Sequence, residues 1–259
     1  MKILVCVKTV PEKDARLRVA SGDEWIVEDG LGVAISECDR YAVEAALRLK
    51  EADEGEVVVL SLGGAGASKQ IKEALAMGCD RAIHVTSDDF ARADALTIAK
   101  VLAAAAREEA PDVILTGQQS DDLGYNAVGQ MMAEKLDMAH AQIVLTLEKV
   151  DGGMRISHEL DNNLIETVDL SMPCVLGVQS GINDVRYASL KGIMQAGAKP
   201  QKKVSLDDLG LSADDLAAKV KVEKVGFPVK TSQAEMIEGD AKDAAKKLVE
   251  KLIQEAKVL

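Results

Sequence analysis

The first 136 residues alternate between short apolar runs and amphipathic stretches. The first run lies within residues 2–8 and is typical of a parallel strand covered on both faces. Comparable runs predict strands at residues 56–62, 81–85 and 113–116. Apolar positions with a period of about 3.6 predict helices at residues 36–50, 68–77, 94–109 and 126–136. Because strands alternate with helices, we predict an α/β fold with an open, mostly parallel sheet, flanking helices and right-handed crossovers.

The pattern changes after residue 140, where predicted strands follow one another without helices between them. These strands span residues 142–150, 154–158 and 164–169, and turn residues separate them at 151–153 and 161–163. We therefore predict antiparallel additions to the sheet.

Beyond residue 199 the chain is polar and weakly periodic, with a predicted strand at 220–225 and a predicted helix at 240–257. This part has too few apolar positions to bury a core of its own. We predict a main α/β domain over residues 1–200 and a C-terminal arm over residues 201–259. The arm would lie on the main domain or on another subunit.

Residues 185–194, which we call the docking segment, follow a predicted buried strand at 174–178. Leu190, Ile193 and Met194 have i, i+3, i+4 spacing, so a helix here would place them on one apolar face. Tyr187 precedes them in a chain with only three Tyr, two Phe and one Trp. Two interpretations stay open: the face covers one end of the sheet, or it is exposed and docks a partner.

Charge and composition narrow the class of protein. The 259 residues include 31 Lys and Arg against 43 Asp and Glu, and only 2% are aromatic, which argues against nucleic-acid binding. No apolar run reaches about 18 residues, so we expect no transmembrane helix. A strand pattern begins at residue 2, so we expect no signal peptide. The four widely spaced cysteines are expected to be reduced, buried thiols of a cytoplasmic protein.

Ligands of open parallel sheets bind beyond the carboxyl ends of the strands. The Gly-rich turn of dinucleotide-binding proteins is absent after the first strand. Residues 63–66 form a Gly-rich turn after the second strand, which is a weak signal for an anion site and more often a tight turn. Residues 118–130 offer many donors before a helix, which suits a nucleotide and equally fits a polar loop capped by Asn126.

No catalytic group stands out in the sequence. His84, His140 and His158 lie in different predicted elements and lack the spacing of metal ligands. A Gly-x-Ser-x-Gly nucleophile elbow is absent, and the pair Asp121–Asp122 without a P-loop does not suffice for a magnesium site. We therefore predict no catalytic or metal-binding residues, and an assembly subunit rather than an enzyme.

Six stretches together resemble the β subunit of electron transfer flavoproteins. The resemblance spans roughly residues 1–200 and continues more loosely into the arm. The stretches are residues 3–8, 42–50, 74–81, 128–131, 166–168 with Pro173, and 186–190. The last two are the most specific, since Glu166-Thr167-Val168 precedes Pro173 and Arg186-Tyr187-Ala188-Ser189-Leu190 opens the docking segment.

The resemblance implies an adenine nucleotide alpha hydrolase-like fold and a heterodimer whose α subunit holds a redox-active FAD. This chain would bind structural AMP, support the FAD domain of the α subunit and dock a flavin-dependent dehydrogenase. The implied AMP-binding residues are Cys6, Ser36, Glu37, Cys38, Asp39, Leu62, Asp122, Leu123, Gly124, Tyr125, Asn126, Ala127, Val128, Gly129, Gln130, Met131, Met132 and Ala133.

The resemblance also implies contacts with other proteins. Glu166 would face the flavin domain of the α subunit. Partner recognition would use Tyr187, Leu190, Ile193 and Met194, with Leu190 as an exposed anchor and Ile193 and Met194 packed beneath it.

Two departures from the family pattern matter. Ser36-Glu37-Cys38-Asp39 stands where the family often has Asn-Pro-x-x, and residues 195–199 retain little of a Lys-rich run.

An electron-bifurcating branch of the family, which binds a second FAD in place of AMP and uses NADH, carries a Gly-Asp-Thr turn and a Gln-Val-Gly-Pro run. Residues 122–130 have neither, so AMP is the expected ligand. A bifurcating subunit and a stand-alone nucleotide sensor are the alternatives.

Overall fold

The computed structural model describes residues 1–22, 24–87, 89–229 and 234–258. The strands are β1 (Lys2–Cys6), β2 (Thr9–Pro11), β3 (Val33–Ile35), β4 (Glu56–Gly63), β5 (Arg81–Thr86), β6 (Val113–Gly117), β7 (Ala139–Val150), β8 (Gly153–Leu160), β9 (Leu164–Ser171), β10 (Cys174–Val178) and β11 (Gln201–Val204). The helices are α1 (Glu37–Asp53), α2 (Ser68–Met77), α3 (Ala95–Glu109), α4 (Val128–Leu136), α5 (Leu190–Ala196), α6 (Ala213–Leu216) and α7 (Ala241–Lys251), which continues as a π-helical turn over Leu252–Ala256.

Nine of these strands form one sheet, in the order β11-β5-β4-β1-β6-β10-β7-β8-β9. Every neighbouring pair from β11 to β7 is parallel, whereas β8 is antiparallel to both β7 and β9. β2 and β3 form a separate antiparallel pair. The predicted α/β class with a mostly parallel sheet is confirmed, and the predicted antiparallel addition applies to β8 and β9, because β7 runs parallel to β10.

The two faces of the sheet are covered by different helices. Along β1 the side chains alternate, so Ile3 and Val5 pack against α1 and α2, while Leu4 packs against α3 and α4. All three side chains are fully buried. This double burial explains why the central strands are continuous apolar runs rather than alternating ones.

The C-terminal part differs from its prediction. β11 pairs with β5 at one edge of the sheet, and Val204 is buried in the core, so the sheet continues past residue 200. By its contacts the chain divides into Met1–Lys224 and Val225–Leu259. The strand predicted over 220–225 is wrong, because the backbone N–H of Val220 donates to the carboxylate of Asp94 instead of joining a ladder.

Helix α4 begins two residues later than predicted. α4 begins at Val128 rather than residue 126, since Asn126 adopts a left-handed φ of 46°. In the docking segment only the part from Leu190 onward is helical, and residues 185–189 precede the helix without regular structure. Among the described residues, none of the helices has the length and apolar character needed to cross a membrane.

Candidate functional site

The sheet grows in opposite directions from β1. The chain adds β4 and then β5 on one side of β1, whereas β6 and β10 lie on the other side. The helices change faces at the same place, since α1 and α2 cover one face and α3 and α4 the other. Loops on the two sides of such a switch point turn away from each other, which leaves a crevice beyond the carboxyl ends of the strands.

Asp39, in the first turn of α1, joins the two strands at this switch point. Its Oδ2 accepts a hydrogen bond from the backbone N–H of Lys8 at 2.8 Å, and its Oδ1 accepts one from the N–H of Gly117 at 2.9 Å. Burial raises the pKa of Asp39 to about 7, although both hydrogen bonds act in the opposite direction. A Cβ on Gly117 would lie 2.4 Å from Asp39 Oδ1, so this approach requires glycine.

Lys8 connects the end of β1 to the loop that follows β6. Its Nζ forms an ion pair with Asp122 Oδ1 at 2.7 Å and donates to Ser120 Oγ at 3.3 Å. Burial opposes the ionisation of Asp122, yet the ammonium of Lys8 brings its pKa below the ordinary value. The loop is therefore held against the strand end by a charged pair.

Two further hydrogen bonds connect the same loop to α1. Asp121 Oδ2 accepts from the backbone N–H of Glu37 at 2.8 Å, and Ser36 Oγ accepts from the N–H of Asp121 at 3.3 Å. Ser36 occupies the N-cap position of α1 but makes no capping hydrogen bond there. The Ser36 hydroxyl therefore contacts the loop rather than the first turn of α1.

Helix α4 begins at the crevice without a side-chain cap. Its N-cap residue is Ala127, and the interpretation of Asn126 as the cap is wrong. The carbonyl of Asn126 accepts a hydrogen bond from the side-chain amide of Gln130 at 3.2 Å. The first N–H groups of a helix lack intrahelical partners and carry the positive end of its dipole. This helix end therefore suits an anion.

Four buried polar atoms on the elements around the crevice have no hydrogen-bond partner within the described residues. They are Thr9 Oγ1, Ser61 Oγ, Thr116 Oγ1 and Gln130 Oε1. Buried polar groups are normally satisfied by protein, by a ligand or by ordered water. Together with the uncapped end of α4, these atoms fit a ligand that carries both an anionic group and several polar groups, as a nucleotide does.

The structure brings most of the predicted AMP-binding residues to this edge of the sheet. Cys6 ends β1, residues 36–39 begin α1, Leu62 lies near the end of β4, and residues 122–131 form the loop and first turn of α4. Met132 and Ala133 are different, since they lie on the face of α4 that is buried in the core and both are fully buried. They support the helix rather than face the crevice.

The predicted site residues did not include Lys8, Gly117 or Asp121, although Asp121 lies in the polar loop 118–130. Lys8 offered a signal, because it is the first charged residue after an apolar parallel strand. The other contacts gave none. The bond from Lys8 to Asp39 spans 31 positions and its ion pair with Asp122 spans 114, so no local pattern reveals them.

The docking segment presents its large apolar side chains to solvent. The exposed fractions are 90% for Tyr187, 75% for Leu190, 57% for Ile193 and 76% for Met194. Leu190 is thus exposed in the isolated chain, as an anchor for a partner requires. The prediction that Ile193 and Met194 pack beneath Leu190 is wrong, because they are exposed beside it.

Small residues explain this orientation of α5. A Cβ on Gly192 would lie 2.2 Å from the carbonyl oxygen of Ala76 in α2, and Ala196 is buried. Gly192 and Ala196 are four positions apart and therefore share one helix face. Through this face α5 rests on α2, which turns the large side chains outward. Ser189 Oγ caps the helix by accepting from the N–H of Gly192 at 3.0 Å.

Glu166 lies on β9, directly opposite His158 on β8. Its Oε2 is 3.0 Å from His158 Nε2, and about half of its side chain is exposed. His84 and His140 lie on β5 and β7. Within the described residues no cluster of three or more His, Cys, Asp or Glu side chains has the arrangement of a metal site.

Comparisons with known proteins agree with the resemblance seen in the sequence. The family model of the electron transfer flavoprotein domain matches residues 24–209. The electron transfer flavoprotein subunit beta of Methylophilus methylotrophus is 37% identical over 257 residues, which cover 96% of this chain and 97% of that protein. The corresponding subunits of Bacillus subtilis and Bradyrhizobium diazoefficiens are 32% and 36% identical, each over 100% of both chains. The chain therefore belongs to the electron transfer flavoprotein family, among its beta subunits.

Proposed function

We propose that this chain binds AMP as a structural ligand and serves as the scaffold and docking subunit of a heterodimeric electron carrier. The α subunit would hold the FAD, which supplies the redox chemistry, and this chain would turn over no substrate of its own. The observation that carries the nucleotide proposal is the end of α4 at the switch-point crevice, which has no side-chain cap, together with the unpaired polar atoms on neighbouring elements.

The AMP phosphate is proposed to bind the first N–H groups of α4, near Asn126 and Val128. Residues 36–39, Cys6 and Leu62 would contact the remainder of the nucleotide, and Asp39 would hold the two strand ends together beneath it. FAD at this site would instead make the chain a bifurcating subunit with an NADH site. Residues 122–130 lack both motifs of that branch, which favours AMP.

The ligand of the purified complex tests this proposal. We expect heat release from the co-expressed heterodimer, followed by chromatography, to yield one FAD and one AMP per heterodimer. Two FAD and no AMP would instead support the bifurcating subunit. The chain is also purified without an α subunit, because a stable monomer that binds ATP would identify a stand-alone sensor.

Partnership with the α subunit is supported by the second unit, Val225–Leu259. Its exposed fractions are 67% for Phe227, 83% for Val229 and 85% for Met236. Several large apolar side chains that are exposed within one short segment are typical of an interaction surface. We propose that this second unit, the last part of the C-terminal arm, packs on the α subunit, in which case its amide exchange slows in the heterodimer. Glu166 is proposed to pair with an Arg of the FAD domain.

Docking of a flavin-dependent dehydrogenase is supported by the exposure of the docking segment. Burial of one Leu is worth about 1.5–3 kcal/mol, which corresponds to roughly ten- to hundredfold in affinity. We therefore expect Leu190→Ala to raise the KM of the dehydrogenase for this carrier by about that factor and to leave the flavin spectrum unchanged. Leu17→Ala is the control, since Leu17 is 44% exposed outside the docking segment. An unaltered KM would contradict the anchor role of Leu190.

A cytoplasmic location is also part of the proposal. All four cysteines are free and buried, and unpaired thiols persist in a reducing compartment. Cell fractionation with an antibody against the chain tests the location, and recovery in a membrane or secreted fraction would contradict it.

A further inference from the structure

An ion pair between Arg186 and a buried carboxylate attaches the docking segment to the α/β domain. Arg186 Nε donates to Glu44 Oε2 at 2.7 Å, and Arg186 Nη2 donates to Glu44 Oε1 at 3.1 Å. The backbone N–H of Arg186 also donates to Glu44 Oε2, at 3.2 Å. Glu44 lies on α1 and its side chain is only 2% exposed. One carboxylate therefore fixes both the guanidinium fork and the backbone of Arg186.

Neighbouring charges extend this contact. Arg186 Nη2 also donates to Glu51 Oε2 at 3.0 Å, about two turns further along the same face of α1. Arg48 Nε donates to Glu44 Oε1 at 2.7 Å, and its Nη2 donates to the carbonyl oxygen of Asp184 at 2.9 Å. Burial opposes ionisation of Glu44, yet the hydrogen bonds from Arg186 and Arg48 hold its pKa below the ordinary value. Helix α1 thus binds the chain at both residue 184 and residue 186.

A second attachment lies at the other end of the docking segment. Gly192 rests on the carbonyl of Ala76 in α2, as described above. Lys199 Nζ donates to the carbonyl oxygens of Leu75 at 2.8 Å and Cys79 at 2.6 Å, where α2 ends. The exposed Tyr187 and Leu190 therefore lie between two points of attachment, on two different helices.

We propose that Arg186 is a positioning residue for partner docking, because its ion pair with Glu44 holds the docking segment in one conformation before a partner arrives. This inference rests on the proposed docking function. A segment that is already ordered loses less conformational freedom on association, so binding is tighter. Arg186 affects docking only by fixing the positions of Tyr187 and Leu190. Its own guanidinium binds Glu44 on α1 and does not contact the partner.

Four heterodimer variants test the inference: Arg186→Leu, Arg186→Lys, Leu190→Ala and Arg81→Leu. Arg81 is the matched control, because it makes bonds of 2.7 and 3.1 Å to Glu56 and also pairs with Glu109. Its side chain is 23% exposed, against 33% for Arg186, and it lies on β5 outside the docking segment. Amide hydrogen exchange is measured over residues 187–196. The KM and kcat are measured with a purified flavin-dependent dehydrogenase that reduces the wild-type heterodimer.

We expect Arg186→Leu to speed amide exchange over residues 187–196 about tenfold or more and to raise the KM about tenfold. The kcat at saturation and the flavin spectrum should not change. Arg186→Lys should fall between wild type and Arg186→Leu, since an ammonium cannot reproduce the bidentate fork. Arg81→Leu should lower the thermal unfolding midpoint without either effect on the docking segment.

Unchanged exchange in Arg186→Leu would overturn the inference. So would faster exchange with an unchanged KM while Leu190→Ala still raises the KM, in which case the docking function itself survives. An unchanged KM in Leu190→Ala would remove the docking function, and the positioning role with it. Should Arg186→Leu not fold, Arg186→Lys decides, because it keeps the positive charge beside Glu44.

Discussion

Asp39 is a buried carboxyl group that joins two strand ends at the crevice, and its protonation affects the stability of the fold. Its pKa of about 7 lies above the ordinary value of 3.8 because burial disfavours the charged form. Between these two pH values the folded chain holds a proton that the unfolded chain has released. The contribution of Asp39 to stability therefore falls as the pH rises from about 4 to about 7 and is constant above that range.

Replacement of Asp39 by Asn tests this coupling. An amide offers one acceptor oxygen, so one of the N–H groups of Lys8 and Gly117 loses its partner, at a cost of about 1–3 kcal/mol in the free energy of unfolding at pH 5. We expect the stability advantage of wild type over Asp39→Asn to shrink as the pH is raised from about 5 to about 8. Unfolding transitions recorded across that range measure it.

Asp169→Asn is the matched control for this series. Asp169 is half exposed, and its hydrogen bonds with Arg155 bring its pKa below the ordinary value. It is therefore ionised throughout this pH range, and the difference between wild type and Asp169→Asn should stay constant. A constant difference for Asp39→Asn as well would show that Asp39 is ionised in the folded chain across the whole range.

At the scale of elements, the β8–β9 hairpin orients Glu166 through a row of cross-strand pairs. His158 faces Glu166, and Arg155 forms two hydrogen bonds to Asp169 at 2.7 and 2.8 Å. Pairs of this kind hold two strands in register. The carboxylate of Glu166 therefore lies at a defined position on the hairpin.

We expect Glu166→Gln to shift the distribution of FAD-domain orientations, because it removes the charge proposed to attract an Arg of the α subunit. The thermal unfolding midpoint should hardly change, since exposed pairs such as Glu166 with His158 contribute about 0–1 kcal/mol. Small-angle scattering of the heterodimer measures the shift. Asp169→Asn removes a charge from the same strand and should leave the distribution as in wild type; an equal effect of both variants would argue against a specific role for Glu166.

Helix α5 shows what an apolar pattern can and cannot predict. The i, i+3, i+4 spacing of Leu190, Ile193 and Met194 correctly identified a shared face, but it did not reveal which face is buried. That depends on the carbonyl of Ala76 in α2, against which only a residue without a side chain fits. Gly192 was visible in the sequence, yet its partner lies more than a hundred positions away and was not.

At the scale of the whole molecule, the alternation of strands and helices in the sequence predicted the parallel sheet and the edge at which the crevice lies. The order of the strands in the sheet could not be predicted in the same way. β11 lies at the edge of the sheet beside β5. Its sequence is Gln201-Lys202-Lys203-Val204, in which only Val204 is apolar and buried, so no alternation of apolar and polar residues predicts a strand there. Charged residues are usual on edge strands, where they discourage pairing with other chains.

The candidate site was predictable in position and not in detail. The switch-point rule places a ligand beyond β1 and β6 from topology alone. The bonds from Asp39 to two strand ends and from Lys8 to Asp122 depend on how distant segments meet. The resemblance supplied the residues expected to bind AMP and to anchor a partner, and the structure added the attachment of Arg186 to Glu44.

The burial of the cysteines has a consequence for oxidation chemistry. Burial raises the pKa of Cys79 and of Cys174 to about 12, and it raises the pKa of Cys6 and Cys38 as well. Peroxides and disulfides react with the thiolate, which these buried groups scarcely form at neutral pH. The thioether of Met194 has no such protection, since that side chain is 76% exposed. An oxidant would therefore modify Met194 in the docking segment before it reached any sulfur of the core.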